Sequence, residues 1–248
     1  MSRPLRLLGS IAFTAYLFVS VVPYSCWVVL TAPFTPRTYA WRVARSWART
    51  VLALLRALCR LNYRVEGAQH LEQPDAVVLM KHSSAWETIA QLVLFPNHVW
   101  VMKRQLLWVP FFGWALAVYS PIAIDRKGGR QAVDQVLREG QQRLAEGLWV
   151  MIFPEGTRVA RGERRRYGLS GALLASVSKR PVIPVTHNAG DFWPRRGWIK
   201  HPGTIRMVIG PPIEAVGRSP RDVNRDVEAW IESTLAKIRA ENAGDRGN

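Results

Sequence analysis

The hydrophobic and polar positions of this chain change their pattern near residue 60. From Tyr63 onward, short apolar runs alternate with segments whose apolar residues recur every three or four positions, as strands and helices alternate in α/β proteins. The runs predict strands at 76–80, 99–102, 121–124, 148–153, 181–185 and 204–210. The periodic segments predict helices at about 86–95, 130–147, 168–179 and 220–242. We therefore expect one α/β domain over residues 61–248, with a single mixed sheet flanked by helices.

Before this domain, residues 7–33 contain no charged side chain and are long enough to cross the hydrocarbon core of a bilayer as a helix. Arginines flank the run on both sides, so the positive-inside rule assigns no orientation. Pro23 predicts a kink, which makes a helix that enters the membrane and returns on the same face as consistent with the sequence as a full span. A cleaved signal peptide is disfavoured, because the run is too long and has no small-x-small cleavage site.

Residues 37–60 predict an amphipathic helix with an arginine stripe. At 100° per residue the stripe covers an arc of roughly 60°, and apolar residues occupy the opposite face. Its members are Arg42, Arg45, Arg49, Arg56 and Arg60. No acidic residue interrupts this segment, which is typical of a helix at a lipid surface; an ordinary helix packed on the core is the alternative. We expect residues 1–60 to form membrane-anchoring helices.

A second uncharged run, residues 106–124, is also long enough to span a bilayer. Pro110, Gly113 and Pro121 interrupt it, so we expect a turn, a short helix and a strand that contribute to the core and to a lipid-contacting surface. A span here would place residues 82–87 and 153–158, which carry the candidate chemistry, on opposite sides of the membrane.

The charge of the chain indicates an anionic partner. Of its 248 residues, 34 are Lys or Arg and 18 are Asp or Glu, which gives a formal net charge of +16. The 11 tryptophans favour a membrane surface over nucleic acid, because indole rings prefer the membrane–water interface and no nucleic-acid-binding module is recognisable. The 2 cysteines argue against a disulfide framework, and the 5 histidines lack metal-ligand spacing, so we expect no bound metal.

Residues 82–87, HSSAWE, place a histidine directly after the apolar strand at 76–80 and a carboxylate five positions later. The carboxyl end of a strand is where α/β proteins commonly place their sites. Ser84 and Glu87 also match a helix capping box, which is the alternative interpretation of the carboxylate. On an uninterrupted helix the side chains of His82 and Glu87 would point about 140° apart, so they meet only if His82 precedes the first turn.

Residues 153–158, FPEGTR, follow a second predicted strand and turn at Gly156. The turn presents Glu155, Thr157 and Arg158 at the same kind of strand end. The planar guanidinium of Arg158 suits phosphate or carboxylate oxygens, because it donates hydrogen bonds as a fork.

Four ordered blocks of this chain resemble the glycerolipid acyltransferase family, which includes the bacterial 1-acylglycerol-3-phosphate acyltransferases. The blocks are the H-x4-E pair at 82–87, the segment 103–126, FPEGTR at 153–158 and VIPV at 182–185. The resemblance implies transfer of an acyl group from a thioester to a hydroxyl. It also implies that His82 is the general base and that Glu87 orients and stabilises its imidazole, although the family more often has aspartate at this position.

The same resemblance assigns the phosphate of the acceptor to Arg158, with help from Lys103 and Arg126. Three residues of the turn are expected to support the site: Glu155, Gly156 and Thr157. The glutamate would orient the arginine or bind a glycerol hydroxyl. A basic loop at 161–166 would contact anionic head groups or an acyl carrier protein.

The resemblance implies no cofactor and an acyl-CoA or acyl carrier protein thioester as co-substrate. It implies a lysophospholipid acceptor, phosphatidic acid as product, and a place at the cytoplasmic face of the bacterial inner membrane, with the anionic membrane surface as a partner. Two alternatives stay open. One is the same transfer to another lysolipid, such as a lyso-ornithine lipid, and the other is a non-catalytic module that binds the membrane surface.

Overall fold

A computed structural model describes residues 2–244 of the chain. Its helices are α1 (Arg3–Thr31), α2 (Arg37–Cys59), α3 (Trp86–Leu94), α4 (Phe112–Val118), α5 (Arg130–Ala145), α6 (Ser170–Ser178) and α7 (Pro220–Gly244). Its strands are β1 (Leu61–Glu66), β2 (Val77–Met80), β3 (His98–Lys103), β4 (Ile122–Ile124), β5 (Trp149–Ile152), β6 (Val182–His187) and β7 (Gly203–Ile209). Every strand and helix predicted after residue 61 is confirmed, with bounds shifted by a few residues.

The seven strands form one sheet in the order β1-β7-β6-β2-β5-β3-β4. Neighbouring strands run parallel except β6 and β7, which are antiparallel. The predicted α/β class with a mixed sheet is therefore confirmed. Because β2, β5, β3 and β4 are parallel neighbours, their carboxyl ends lie at one edge, and the residues that follow these strands are brought together.

The first strand, β1, is missing from the prediction. Leu61 is buried, whereas Tyr63 and Arg64 are exposed, so the strand contains no continuous apolar run. It lies at the edge of the sheet and pairs with β7 alone, with Leu61 opposite Gly203. An edge strand of this kind depends on its pairing partner more than on its own hydrophobic pattern.

The two faces of the sheet carry separate hydrophobic cores. Val78 and Met80 of β2 belong to the core shared with α1, α2 and α3, whereas Val77 and Leu79 belong to the core shared with α5, α6 and α7. Both faces of β2 are covered, which explains its uniformly apolar sequence. Since successive strand residues point to opposite faces, the residues directly after β2 reach opposite sides of the sheet.

The helices α1 and α2 form an antiparallel hairpin. Near the turn, Nε1 of Trp27 donates to the Tyr39 hydroxyl at 3.0 Å. At the other end, a Cβ placed on Gly9 would lie 2.2 Å from the carbonyl oxygen of Leu58, so the two backbones are in contact there. Helix α1 continues through Pro23, and the chain then turns back on itself before it enters the sheet.

The polarity of α1 is the reverse of that of a soluble surface helix. Ser10, Ser20 and Ser25 are buried against the protein, whereas Phe18 and Val19 are 67% and 71% exposed. A contiguous apolar outer face of this kind marks an interaction surface. By length and composition, α1 with the turn that follows it is the one segment among residues 2–244 that could cross a membrane.

The arginine stripe of α2 lies on its outer face. Its exposed members are Arg42, Arg49, Arg56 and Arg60. Arg45 is partly buried, donates to Oδ1 of Asn97 at 2.9 Å and lies over the ring of Trp41. Val51 and Leu55 on the opposite face are buried in the core. The helix therefore packs on the domain and presents a cationic face to its surroundings.

The second uncharged run has the predicted form of a turn, a short helix and a strand. A 3-10 turn (Arg104–Trp108) leads into α4, and β4 follows. Ile122 of β4 is fully buried, whereas Trp108 and Trp114 are 69% and 52% exposed. The run thus adds a strand to the core and an aromatic patch to the surface.

A buried histidine makes the stability of this fold depend on pH. His98, the first residue of β3, packs against Trp41 and Trp100, with ring centroids 5.0 and 4.9 Å away. Its Nδ1–H donates to the Pro96 carbonyl at 2.7 Å, and its Nε2 has no hydrogen-bond partner within the described residues. Burial is the main cause that lowers the pKa of His98 to about 4.

Because this pKa lies below the ordinary value of 6.5, the unfolded state binds the additional proton, and stability is lost as the pH falls below 6.5. We expect a His98→Leu variant to lack this loss, which amounts to about 2 kcal/mol at pH 5. The measurement is the free energy of unfolding in mild detergent at pH 7 and pH 5. His201→Leu, at an exposed histidine, is the control. Equal losses in wild type and His98→Leu would contradict the prediction.

Candidate active site

His82 and Glu87 meet at the carboxyl end of β2. Helix α3 begins at Trp86, so His82 lies before its first turn, as the pairing requires. Nδ1 of His82 is 2.9 Å from Oε1 of Glu87. The capping interpretation holds in part. The same oxygen accepts the backbone N–H groups of Ser83 at 2.9 Å and Ser84 at 2.8 Å, but the N-cap of the helix is Ala85, and the Ser84 hydroxyl accepts from the N–H of Trp86 instead of that of Glu87. One carboxylate therefore starts the helix and holds the histidine.

The carboxylate of Glu87 is fully buried, and its contacts compensate its charge. Burial raises the pKa of Glu87, but the neighbouring His187 ring, the hydrogen bond with His82 and the N–H of Ser84 outweigh this effect, so the net shift is downward. The first turn of α3 adds the positive end of the helix dipole. Because an ionised carboxylate only accepts hydrogen bonds, Nδ1 of His82 carries the proton and Nε2 keeps its lone pair.

The FPEGTR segment and the residue after it, Val159, hold the backbone of His82 through both its N–H and its carbonyl. Oε2 of Glu155 accepts the His82 N–H at 2.9 Å, and the N–H of Val159 donates to the His82 carbonyl at 2.8 Å. The imidazole stacks on the ring of Phe153, with centroids 4.0 Å apart and planes inclined by 20°. The two sequence motifs are therefore parts of one site.

Glu155 has other partners than those expected. Its second oxygen, Oε1, accepts a hydrogen bond from Nζ of Lys81 at 2.6 Å. Burial raises the pKa of Glu155, and the hydrogen bond from Lys81 opposes this shift. Neither oxygen contacts Arg158 among the described residues, so the first of the two expected roles, orienting Arg158, is corrected, whereas the second, binding a glycerol hydroxyl, stays a prediction. Glu155 instead links the end of β2 to the turn after β5.

The three cations predicted to bind a phosphate differ in their surroundings. Arg158 is half-buried and makes no hydrogen bond or ion pair with any of residues 2–244. Arg126 is exposed and donates to the carbonyl of Gly156. Lys103 is exposed at the last position of β3, opposite Ile124 of β4. All three follow or end strands that share one edge, and the guanidinium of Arg158 is available for an anion.

Gly156 makes the turn of the FPEGTR segment. Its φ of 68° lies in the left-handed region that favours glycine. Its N–H donates to the Phe153 carbonyl at 2.9 Å, and Thr157 follows it in a half-buried position. The hydrogen bond from Arg126 to the Gly156 carbonyl ties the chain after β4 to this turn.

The sequence analysis did not find His187, which lies behind the pair. It is the last residue of β6 and is buried; its Nε2–H donates to the Lys81 carbonyl at 2.9 Å and lies 3.7 Å from Oε2 of Glu87. The N–H of Ala189 donates to Nδ1 of His187 at 3.3 Å. Burial lowers the pKa of His187, and the neighbouring carboxylate of Glu87 opposes this shift. Its one sequence signal was its place two residues after the VIPV block.

Comparisons with known proteins show which family this chain resembles. The family model described as Acyltransferase matches residues 62–188. The chain is 43% identical over 211 residues to the 1-acyl-sn-glycerol-3-phosphate acyltransferase of Pseudomonas aeruginosa, covering 84% of this chain and 82% of that protein. It is 28% identical over 203 residues to the human 1-acyl-sn-glycerol-3-phosphate acyltransferase alpha, covering 80% and 71%.

The fold also matches a solved structure, the 1-acyl-sn-glycerophosphate acyltransferase of Thermotoga maritima, with a TM-score of 0.81. The match covers 97% of this chain and 98% of that one, and its 21% identity supports the fold alone.

A histidine with its Nδ1 bound to a carboxylate, at the same sheet edge as an arginine with no hydrogen bond or ion pair to the described residues, suits the activation of a hydroxyl in a substrate that carries an anion. These features define a group-transfer enzyme of the α/β class. The family model and the relatives identify the kind of group that is transferred. The chain belongs to the acyltransferase family and is an acyltransferase. The resemblance found in the four sequence blocks is confirmed.

Proposed function

We propose that this enzyme transfers a fatty acyl group from an acyl thioester to the free hydroxyl of 1-acylglycerol-3-phosphate and so forms phosphatidic acid. The names of the Pseudomonas aeruginosa and human relatives support this acceptor. The observation that carries the proposal is the His82–Glu87 pair, 2.9 Å apart, at the same sheet edge as Arg158. The co-substrate is acyl-CoA or an acyl carrier protein thioester, and the reaction requires no cofactor.

In this proposal His82 is the general base. Its Nε2 takes the proton of the acceptor hydroxyl while the hydroxyl oxygen bonds to the thioester carbonyl carbon. The C–S bond then breaks, and the leaving sulfur takes the proton from the imidazolium, so that an ester and a free thiol result. Glu87 stabilises the imidazolium through Nδ1 and keeps the tautomer that leaves Nε2 free. The substrate hydroxyl is the nucleophile, so no acyl-enzyme intermediate is needed.

Arg158 binds the phosphate of the acceptor. A guanidinium donates two parallel hydrogen bonds to phosphate oxygens, and such charge-assisted bonds are among the strongest in proteins. Arg126, held at the carbonyl of Gly156, and the exposed Lys103 add positive charge at the same edge. Binding the phosphate there would bring the glycerol hydroxyl towards Nε2 of His82.

We place the reaction at the surface of the bacterial inner membrane, on its cytoplasmic face. The exposed apolar face of α1 requires a non-aqueous neighbour, and the exposed arginines of α2 suit anionic head groups. Helix α1 packs against α4, so the exposed Trp108 and Trp114 lie near the same apolar surface. The exposed basic loop at 161–166 follows the FPEGTR turn and would meet head groups or an acidic carrier protein.

Removing the base tests the mechanism directly. We expect His82→Ala to lower kcat by about 100- to 10,000-fold, the usual contribution of a general base, with little change in KM. Glu87→Gln should lower kcat by a smaller factor and also lower Tm, because a carboxamide lacks the negative charge on which three N–H groups converge and places an NH2 group where Oε2 accepts from the N–H of Ser84. His201→Ala, at an exposed histidine, is the control. Near-normal turnover by His82→Ala would contradict the assignment of the base.

Removing the guanidinium tests the choice of acceptor. We expect Arg158→Ala to lower kcat/KM for lysophosphatidic acid by roughly 30- to 1000-fold, the loss of a charge-assisted pair worth about 2–4 kcal/mol. Arg158→Lys should recover part of this, because an ammonium keeps the charge without the fork. Arg138→Ala, at an exposed arginine of α5, is the control. If wild type prefers a phosphate-free lysolipid such as a lyso-ornithine lipid, the proposed acceptor is wrong.

Attachment to lipid can be measured on the full-length protein. We expect Arg42→Gln/Arg49→Gln/Arg56→Gln to weaken binding to phosphatidylglycerol vesicles at low salt by roughly 100-fold, since each basic residue near an anionic surface contributes about 1 kcal/mol. Binding to phosphatidylcholine vesicles should not change. A matched triple variant on the opposite side of the sheet, at Arg138, Arg221 and Arg225, is the control. Equal effects of the two triple variants would argue against a lipid contact of α2.

A further inference from the structure

A buried lysine lies directly before the histidine of the site. The side chain of Lys81 is 5% exposed, and its Nζ donates to Oε1 of Glu155 at 2.6 Å and to Oε1 of Glu232 at 2.7 Å. Glu232 belongs to the C-terminal helix α7. The hydroxyl of Tyr167 donates to the same oxygen of Glu232 at 3.0 Å. These four residues form what we call the Lys81 cluster.

The Lys81 cluster connects the two faces of the sheet. The alternation along β2 sends Lys81 towards the core of α5, α6 and α7, and sends His82 towards α3 and Glu87. The carboxylate of Glu155 lies between them, because one oxygen accepts from Lys81 and the other from the N–H of His82. The path from α7 to the backbone of the histidine thus has three hydrogen bonds: Glu232 with Lys81, Lys81 with Glu155, and Glu155 with the N–H of His82.

The charges of the Lys81 cluster do not cancel. Two carboxylates share one ammonium, and Tyr167 is a neutral donor, because burial raises the pKa of its hydroxyl. A buried charge that loses its partner is strongly destabilising. Lys81 therefore keeps Glu155 and Glu232 together, and the side chain of Glu232 in turn fixes the direction of the ammonium that holds Glu155.

We propose that Glu232 is a positioning residue for His82 and acts through Lys81 and Glu155. Helix α7 then belongs to the machinery of acyl transfer, although three hydrogen bonds separate Glu232 from the N–H of His82 and Glu232 lies on the other side of the sheet. This inference rests on the proposed role of His82 as general base. It adds a requirement that the sequence motifs do not contain, namely a glutamate 151 residues from Lys81.

The first test compares two glutamates of α7 in the full-length enzyme, with lysophosphatidic acid and a long-chain acyl-CoA. Glu232→Gln keeps an oxygen for Lys81 but removes one charge, and we expect kcat to fall about tenfold with KM for both substrates within about twofold, since small displacements of a general base are costly. Glu228→Gln, one turn earlier, is the control, because Glu228 has no hydrogen bond or ion pair with residues 2–244 and acts on the cluster only through its charge, which contributes to the raised pKa of Tyr167; this variant therefore removes the same charge without removing a contact to Lys81.

The second test is rescue. Lys81→Met leaves two carboxylates without their cation, and we expect kcat to fall roughly 100-fold, as for a general base displaced by about 1 Å. Adding Glu232→Gln to Lys81→Met removes one of the two repelling charges, so kcat should recover about tenfold, within the usual range of coupling between contacting residues. If Glu232 had only a structural role, the losses of kcat caused by Lys81→Met and Glu232→Gln would add in the double variant.

The outcomes separate this inference from the proposed function. If wild type does not acylate lysophosphatidic acid, the proposed acceptor fails, and the variants are compared on whichever lysolipid the enzyme does use. If Glu232→Gln and Glu228→Gln have the same kcat, and the double variant shows no recovery, the positioning role is wrong. If Lys81→Met does not fold, the positioning role of Glu232 is tested by the kcat values of Glu232→Gln and Glu228→Gln alone.

Discussion

Three N–H groups converge on the buried carboxylate of Glu87, and the geometry of the site depends on that convergence. Two of them are the backbone amides of Ser83 and Ser84 at the start of α3, and the third is the imidazole of His82. A buried carboxylate without such donors would be neutralised by a proton. The loop conformation that satisfies this charge is therefore the one that leaves Nε2 of His82 free, so helix capping and placement of the base are a single requirement.

The order of the strands determines what surrounds this carboxylate. β2 lies between β5 and β6, so the turn after β5 and the end of β6 flank the loop that carries His82. Glu155 and Val159 bind its backbone from one side, and His187 bonds the carbonyl of Lys81 from the other. Because these strands are parallel, segments about seventy to one hundred residues apart in sequence meet at one edge.

Sequence reasoning was sufficient for most of the sheet, because each of its inner strands is an apolar run between turn residues. It was also sufficient for the family, since four blocks occur in the right order. The sequence could predict the pairing of His82 with Glu87 only on the condition that His82 precedes the first turn of α3. The capping pattern alone allows the helix to begin earlier than it does. The roles of His82, Glu87 and Arg158 in turnover stay predictions.

The partners of Glu155 could not be predicted. A lysine at a strand end and a glutamate in a distant helix share no local pattern, and only the packing of α7 on the sheet brings Glu232 to Lys81. β1 was missed for a related reason, since its register is set by β7 and not by its own residues. Long-range pairing of polar groups is a property of the folded sheet, whereas hydrophobic periodicity is local.

The exposed apolar face of α1 affects where this enzyme can fold while it is being synthesised. Phe13 and Val28 on the inner face of α1 belong to the same core as Ile205 and Met207 of β7, which is made about 170 residues later. Until β7 leaves the ribosome, the inner face of α1 has α2 and α4 as neighbours but lacks this strand, whereas its outer residues Phe18 and Val19 stay exposed even in the finished fold. A bilayer close to the ribosome would cover the outer face first and let the sheet assemble against the inner one, so that the chain would complete its fold beside its lipid substrate.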